Sequence, residues 1–348
     1  MKLGFVIYGS LDTLSGGYLY DRKLVEYLRE QGDIIEVVSL PWRNYAAHLL
    51  DNLHFRLPPH LDLLIQDELN HPSLLSANAR PHQYPVISLV HHLRCSELRP
   101  KWQNDFYRVI EKRYLQSVDG FIFNSKTTQR VVNNLVGSSK PNIVAYPPTD
   151  SFGQLISENE IIERAKRDEF RILFLGNVIY RKGLHTLLEA ISNQRLAVRL
   201  DVVGSLNSEP AYAKKIQAFV VANDLSSAVV FHGSLDKELL AAKLKGAHVL
   251  AVPSSYEGYG IVYLEGMGFG LPAIGTTAGA AGEIITDGVD GFLIEPGDTD
   301  FLASRLRVLN EKREVLVRMS LAARSRYLRQ PKWSQTAGDV HNFLLSAL

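Results

Sequence analysis

The chain has a single cysteine, Cys95, among its 348 residues. No intramolecular disulfide can form, and such sparing use of thiols is that of a reducing compartment, so the expected location is cytoplasmic. There is no uninterrupted apolar run approaching the ~20 residues of a membrane-spanning helix, which leaves membrane contact peripheral at most. The apolar opening, residues 1–8, is broken by Gly9 and followed by Asp12, so it reads as a first strand and not as a signal peptide. Neither sign of charge is in excess: 38 Lys+Arg face 37 Asp+Glu, a formal net charge of +1, which supplies no global field for nucleic acid or for an anionic membrane. A G-x-G-x-x-G run after the first strand is also missing, which argues against a nicotinamide or flavin enzyme.

What the chain does have is alternation. At 348 residues it exceeds one hydrophobic core, so two domains are expected. Strand-like runs at 3–8, 34–38, 61–66, 86–91, 121–124 and 143–145 alternate with helical patterns such as 18–31 and 101–117. A polar stretch, 151–168, reads as linker plus a surface helix, and the alternation restarts at 171–175, 199–203, 229–232, 248–252, 272–275 and 292–294. The predicted fold class is α/β, two doubly wound domains at 1–150 and 169–331. The apolar-rich helical pattern 333–348 follows the second sheet and is expected to cross back to the first domain.

The chemistry concentrates in residues 253–272, Pro-Ser-Ser-Tyr-Glu-Gly-Tyr-Gly-Ile-Val-Tyr-Leu-Glu-Gly-Met-Gly-Phe-Gly-Leu-Pro. An apolar strand enters, glycines turn it, and a helical pattern follows from Ile261. A helix start offers unpaired backbone N–H groups and partial positive charge, which suits a diphosphate. Glu257 lies in the loop, where a carboxylate can accept from sugar hydroxyls; as a plain structural residue it would cap the helix. Glu265 lies about one turn inside the helix, placed to grip a second polyol such as a ribose, since a buried carboxylate needs a partner. Together they fit a nucleotide sugar.

Four ordered pieces carry a family resemblance: 174–183 (Phe-Leu-Gly-Asn-Val-Ile-Tyr-Arg-Lys-Gly), 230–233 (Val-Phe-His-Gly), 257–265, and 282–296 (Gly-Glu-Ile-Ile-Thr-Asp-Gly-Val-Asp-Gly-Phe-Leu-Ile-Glu-Pro). This half resembles the donor-binding domain of family 4 retaining glycosyltransferases, the glycosyl transferases group 1, with the GT-B fold of two Rossmann-like domains and a cleft between them. The resemblance implies a metal-independent, retaining hexosyltransferase. It would use a nucleotide-diphosphate sugar, UDP- or GDP-linked, as co-substrate with no further cofactor, and a glycan, lipid or small molecule as acceptor. Lys182 matches the lysine that faces the leaving diphosphate, where a fixed ammonium is worth most as negative charge develops. Asn177 stands where many members have arginine, and Arg181 is expected to supply the missing charge. Glu257 matches the carboxylate near the reacting carbon, and Glu265 the ribose ligand. Gly258, Tyr259 and Gly260 would offer backbone N–H groups to the donor, and Leu235 would sit by the base.

In the first half the resemblance is looser. Gly16 and Gly17 follow the first strand and would approach the diphosphate, and His91, rather than its neighbour His92, would face the acceptor and the transferred sugar. Asp298 and Asp300 have D-x-D spacing, but they open a helical pattern after Pro296-Gly297, so Asp298 reads as an N-cap and no metal is implied. The basic and aromatic stretch 99–113 could lie on a membrane surface; a domain helix with a solvated basic face is the reading preferred from sequence. The alternatives are a nucleotide-sugar-binding protein without turnover, or another GT-B enzyme such as a nucleotide-sugar epimerase.

Overall fold

Among the described residues, twelve short β-strands build two parallel sheets, and within each sheet one strand leads to the next through a helical crossover, as parallel pairing requires. The computed structural model describes residues 1–13, 15–137, 140–148 and 156–348. The part of the 151–168 reading that covers residues 151–155, and the boundary at 150, lie outside them. Two units are distinguished: Met1–Pro148 with Pro331–Leu348, and Thr149–Gln330.

In the first unit the strands are β1 (Lys2–Tyr8), β2 (Ile34–Leu40), β3 (Leu63–Asp67), β4 (Val86–Val90), β5 (Gly120–Phe123) and β6 (Asn142–Val144), in the order β2-β1-β3-β4-β5-β6. Successive side chains leave a strand on opposite faces, and the two cores divide accordingly. Leu3, Phe5, Ile7, Leu63, Ile65, Ile87 and Leu89 pack with Leu24 and Leu28 of the helix Gly16–Glu30 and with Ala337, Val340 and Leu344 of the helix Trp333–Ser346. Val6, Tyr8, Leu64, Val86, Val90, Phe121 and Phe123 pack on the other face with Leu74, Tyr114 and Leu115. The last helix is fixed by His341 Nε2 on Asp33 Oδ2 at 3.1 Å and by Thr336 Oγ1 donating to the Tyr146 carbonyl at 3.0 Å.

In the second unit the strands are β7 (Phe170–Leu175), β8 (Val198–Val203), β9 (Val229–Gly233), β10 (Val249–Ala251), β11 (Ala273–Thr276) and β12 (Gly291–Ile294), ordered β12-β11-β10-β7-β8-β9. β10 is shorter than the apolar run 248–252 suggested. His248 is not a ladder residue: its Nδ1 accepts from Arg171 N at 3.0 Å and its Nε2 lies 2.9 Å from the Arg164 carbonyl, so the imidazole ties the strand start to a neighbouring helix. That helix, Glu158–Ala165, begins with a capping box in which Ser157 and Glu160 satisfy each other's backbone N–H groups. It is not only a surface element, because buried Arg164 donates to the carbonyls of Phe269 and Gly270 at 2.8 and 2.6 Å.

Candidate functional site

In the second sheet the chain winds outward through β8 and β9 on one side of β7 and through β11 and β12 on the other, so its order reverses between β7 and β10. In an open parallel sheet, ligands bind beyond the carboxyl ends of the strands at such a switch point. The loops leaving β7 and β10 carry the residues singled out above. Gly183 (φ +71°) lets these loops touch: a Cβ there would lie 2.1 Å from the Pro253 carbonyl oxygen. The short 3-10 turn Tyr180–Lys182 is thereby pressed against the loop that carries Glu257.

Glu257 is buried at the centre of this arrangement. Its Oε1 lies 2.5 Å from Lys182 Nζ and accepts from Ser254 Oγ at 2.6 Å, while Oε2 is 3.7 Å from Arg181 Nη1. Arg181 also donates to the Tyr256 carbonyl at 2.6 Å, and its own carbonyl accepts from Ser255 N at 2.8 Å. The loop is pinned on its far side, where Ala280 N donates to the Glu257 carbonyl at 2.8 Å and Thr276 Oγ1 to the Ser254 carbonyl at 2.6 Å. Burial pushes the Glu257 carboxyl up, but Lys182, then Arg181, and the hydrogen bonds from Lys182 and Ser254 outweigh it and hold the group at about 2. Burial lowers the Lys182 ammonium; the Glu257 carboxylate 2.5 Å away opposes that shift, and Arg181 adds to the lowering. Lys182, Arg181 and Glu257 thus meet in one largely buried cluster.

The helix Ile261–Gly268 starts from Gly260 (φ +96°) with no side-chain cap, and Tyr263, packed beneath, donates to the Val252 carbonyl at 2.7 Å. Gly258 and Gly260 flank buried Tyr259 in the turn that leads into it. Glu265 lies on this helix, half-buried, and burial raises its carboxyl to about 7. It makes no hydrogen bond or ion pair among the described residues, and none links it to the Lys182–Glu257 pair. Asn177 does not extend freely from the β7 loop: its Oδ1 accepts from Ser205 N at 3.2 Å, which joins the loops after β7 and β8. Leu235, half-buried, precedes Asp236, the N-cap of the helix Lys237–Gly246.

In the first unit, Gly16 and Gly17 open the helix Gly16–Glu30 behind the N-cap Ser15, whose side chain accepts from Tyr18 N at 3.2 Å. A Cβ on Gly17 would lie 3.3 Å from His91 Cδ2, so the glycine and the histidine adjoin. His91 follows β4, and its Nε2 lies 3.0 Å from Asp21 Oδ1. Burial lowers the imidazole, but Asp21 and then Asp67 and Glu68 prevail and raise it to about 9. His92 pairs instead with Glu97 at 2.9 Å. The sequence reading overlooked Asp21, which is fully buried with its Oδ2 unpartnered. A signal was there, because Asp21 interrupts the apolar stripe Leu24, Val25 and Leu28 at helical spacing. Ser254, the third group on Glu257, left no such mark.

Among the described residues, two side-chain groups have a metal-like spacing: Asp21, Asp67 and His91, and Glu68, His71 and Glu111. In the second, His71 Nε2 already meets Tyr45 Oη at 2.9 Å and Glu111 accepts from Arg94 N and Cys95 N at 2.5 and 3.1 Å. In the first, His91 Nε2 is engaged by Asp21. Asp298 caps its helix by accepting from Phe301 N at 2.9 Å, and Asp300 accepts from Gln194 at 3.4 Å, so the D-x-D pair has local work.

Residues 156–326 match the family model of glycosyl transferases group 1. That segment holds the Lys182–Glu257 pair and Glu265. The chain is 26% identical over 202 residues to the D-inositol 3-phosphate glycosyltransferase of Xylanimonas cellulosilytica, a match covering 55% of this chain and 48% of that one. It thus spans about half the length of that curated relative. To the phosphatidyl-myo-inositol mannosyltransferase of Mycobacterium leprae it is 24% identical over 375 residues, 98% of this chain and 95% of the other. Anabaena HepE, solved in complex with UDP and glucose, superposes with a TM-score of 0.77 at 19% identity, covering 100% of both chains. The fold is GT-B, two Rossmann-like α/β units.

Proposed function

We propose that this chain is a hexosyltransferase that moves a sugar from a nucleotide-diphosphate donor to a hydroxyl of a glycan, lipid or small-molecule acceptor, with retention at the anomeric carbon and without a metal. The observation that carries the reading is the Lys182–Glu257–Arg181 cluster at the switch point between β7 and β10. Breaking the bond between the anomeric carbon and the donor phosphate leaves the electron pair on a phosphate oxygen. Lys182 and Arg181 are placed to meet that charge, and they act most in the transition state, where it is developing. D-x-D carboxylates occupied as a cap and a side-chain contact support a reading in which these cations, and not a metal, neutralise the diphosphate.

A carboxyl held at about 2 is a poor proton acceptor, so Glu257 is assigned to binding. The acceptor oxygen attacks the anomeric carbon from the face the diphosphate is leaving, and its proton passes to a donor phosphate oxygen. Glu257 engages the ammonium that the phosphate would take. On donor binding Lys182 turns to the diphosphate and Glu257 accepts from sugar hydroxyls. Glu265, half-buried without a partner, takes the ribose hydroxyls. The UDP in the HepE complex supports UDP as the first base to try, with GDP next. The buried lone thiol of Cys95 supports a cytoplasmic location, and among the described residues no helix is long and apolar enough to cross a membrane.

Thermal melting with a panel of UDP- and GDP-sugars, followed by donor hydrolysis and transfer assays, tests this reading. A matching donor raises the melting temperature, and Lys182→Ala removes turnover. Absence of any donor-induced rise across the panel would overturn it. A donor-binding protein without turnover is the second reading, favoured by the tethering of Asn177 to Ser205, which leaves no cation at that position. A rise with no hydrolysis or transfer would decide for it.

A further inference from the structure

The helix Lys101–Ser117 turns Glu111, Tyr114 and Leu115 inward and leaves its opposite face bare. On that face stand Trp102 (70% exposed), Phe106 (46%) and Val109 (66%), with Leu98 (67%) just before the helix. Steps of four and three align Trp102, Phe106 and Val109 into one stripe, and Arg113, four residues on, continues it. Lys101, Arg108 and Lys112 line one flank and are exposed as well. The only acidic group among them is Asp105, which is exposed and 3.4 Å from Arg108. A helix on a globular domain ordinarily points such apolar residues at the core. Here bulky side chains and four cations face solvent together, in a chain whose overall formal charge is only +1.

We propose that this face docks on an anionic lipid surface, with Trp102, Phe106 and Val109 entering the boundary between headgroups and acyl chains and the basic side chains reaching lipid phosphates. Charge complementarity selects this occupant. A second copy of the chain pairing through the same stripe about a twofold axis would set the cations Lys101, Arg108, Lys112 and Arg113 of one copy against the cations of the other. A negatively charged bilayer meets the same cations with attraction. The helix is fixed for this role by its inner face: the Tyr45 ring packs 4.9 Å from Tyr107, and Arg94 lies over the Tyr107 ring at 5.0 Å. The inference is independent of the transfer reaction, since it concerns a surface that carries none of the donor residues. It adds a ligand to the domain helix with a solvated basic face expected from sequence, on which Lys101, Arg108, Lys112 and Arg113 are exposed.

Co-sedimentation of the full chain with vesicles tests it, using phosphatidylcholine alone and phosphatidylcholine mixed in equal parts with phosphatidylglycerol. The chain is expected to sediment with the mixed vesicles, less so as salt is raised, and to stay in solution with phosphatidylcholine alone. Lys101→Gln, Lys112→Gln and Arg113→Gln should each weaken binding by about fivefold. The triple change Trp102→Ser, Phe106→Ser and Val109→Ser should abolish it while the melting temperature and any donor-induced rise stay as they were. The proposal is overturned if the mixed vesicles leave the chain in solution, or if neither set of changes alters binding. It is also overturned if the chain is a dimer that the triple serine variant dissociates.

Discussion

Replacing Glu257 by glutamine tests the electrostatics of the candidate site most directly. The change keeps the shape and removes the charge, leaving Lys182 and Arg181 facing each other across a pocket with no anion. Holding a carboxyl at about 2 that would ordinarily titrate near 4.5 corresponds to about 3 kcal/mol of folded-state stabilisation at neutral pH. Because the folded-state value is depressed, that contribution is complete above pH 4.5 and is lost as pH falls through the window down to about 2. Glu257→Gln should therefore cost about 3 kcal/mol at pH 7, and the gap to the parent chain should narrow by about 1 kcal/mol at pH 4. The readout needs care: Trp42, Trp102 and Trp333 all belong to the first unit, so tryptophan fluorescence does not report on the second. Amide hydrogen exchange in β7 and β10, with far-UV circular dichroism in urea, does. A cost below about 1 kcal/mol, or a gap unchanged between pH 7 and pH 4, would refute the claim that this buried pair is net stabilising.

Three further outcomes follow from the same geometry. Glu265→Gln should stabilise the free protein more at pH 8 than at pH 5, because burial penalises the carboxylate and raises the group to about 7, and it should abolish the donor-induced rise in melting temperature; urea unfolding at the two pH values and the donor panel check both. Gly183→Ala puts a Cβ 2.1 Å from the Pro253 carbonyl oxygen at a φ of +71°, so a loss of several kcal/mol and of turnover is expected, measured by thermal melting and transfer assay. His91 should remain protonated through neutral pH, its contribution complete below 6.5 and lost as pH rises through about 9. Asp21→Asn should bring its titration, followed by proton NMR of the imidazole, down toward neutrality.

The strands were legible because central parallel strands are covered on both faces, which turns them into near-continuous apolar runs such as 63–65 and 86–90, the latter broken only by Ser88. Strand ends were less so, since just before β10 the His248 imidazole accepts from Arg171 N, a partner 77 residues away. The glutamate–glycine loop and the Lys182 turn were readable as pieces. That Lys182 and Glu257, 75 residues apart, meet at 2.5 Å depends on β7 and β10 being neighbours, which is a property of strand order and not of either motif. The attachment of Asn177 to Ser205 was illegible for the same reason, and asparagine there looked like a ligand contact because its amide can serve either purpose. Asp21 escaped notice although its place on an apolar stripe marked it.

The helix Trp333–Ser346 closes a core whose other parts are made far earlier in translation. A nascent chain emerging from the ribosome completes all of Thr149–Gln330 before Ala337, Val340 and Leu344 exist to cover Leu24 and Leu28. The second unit is therefore free to mature first, reversing the usual vectorial order, while the first waits with part of its apolar surface uncovered. A fragment ending at Pro148 would inherit that exposed seam permanently.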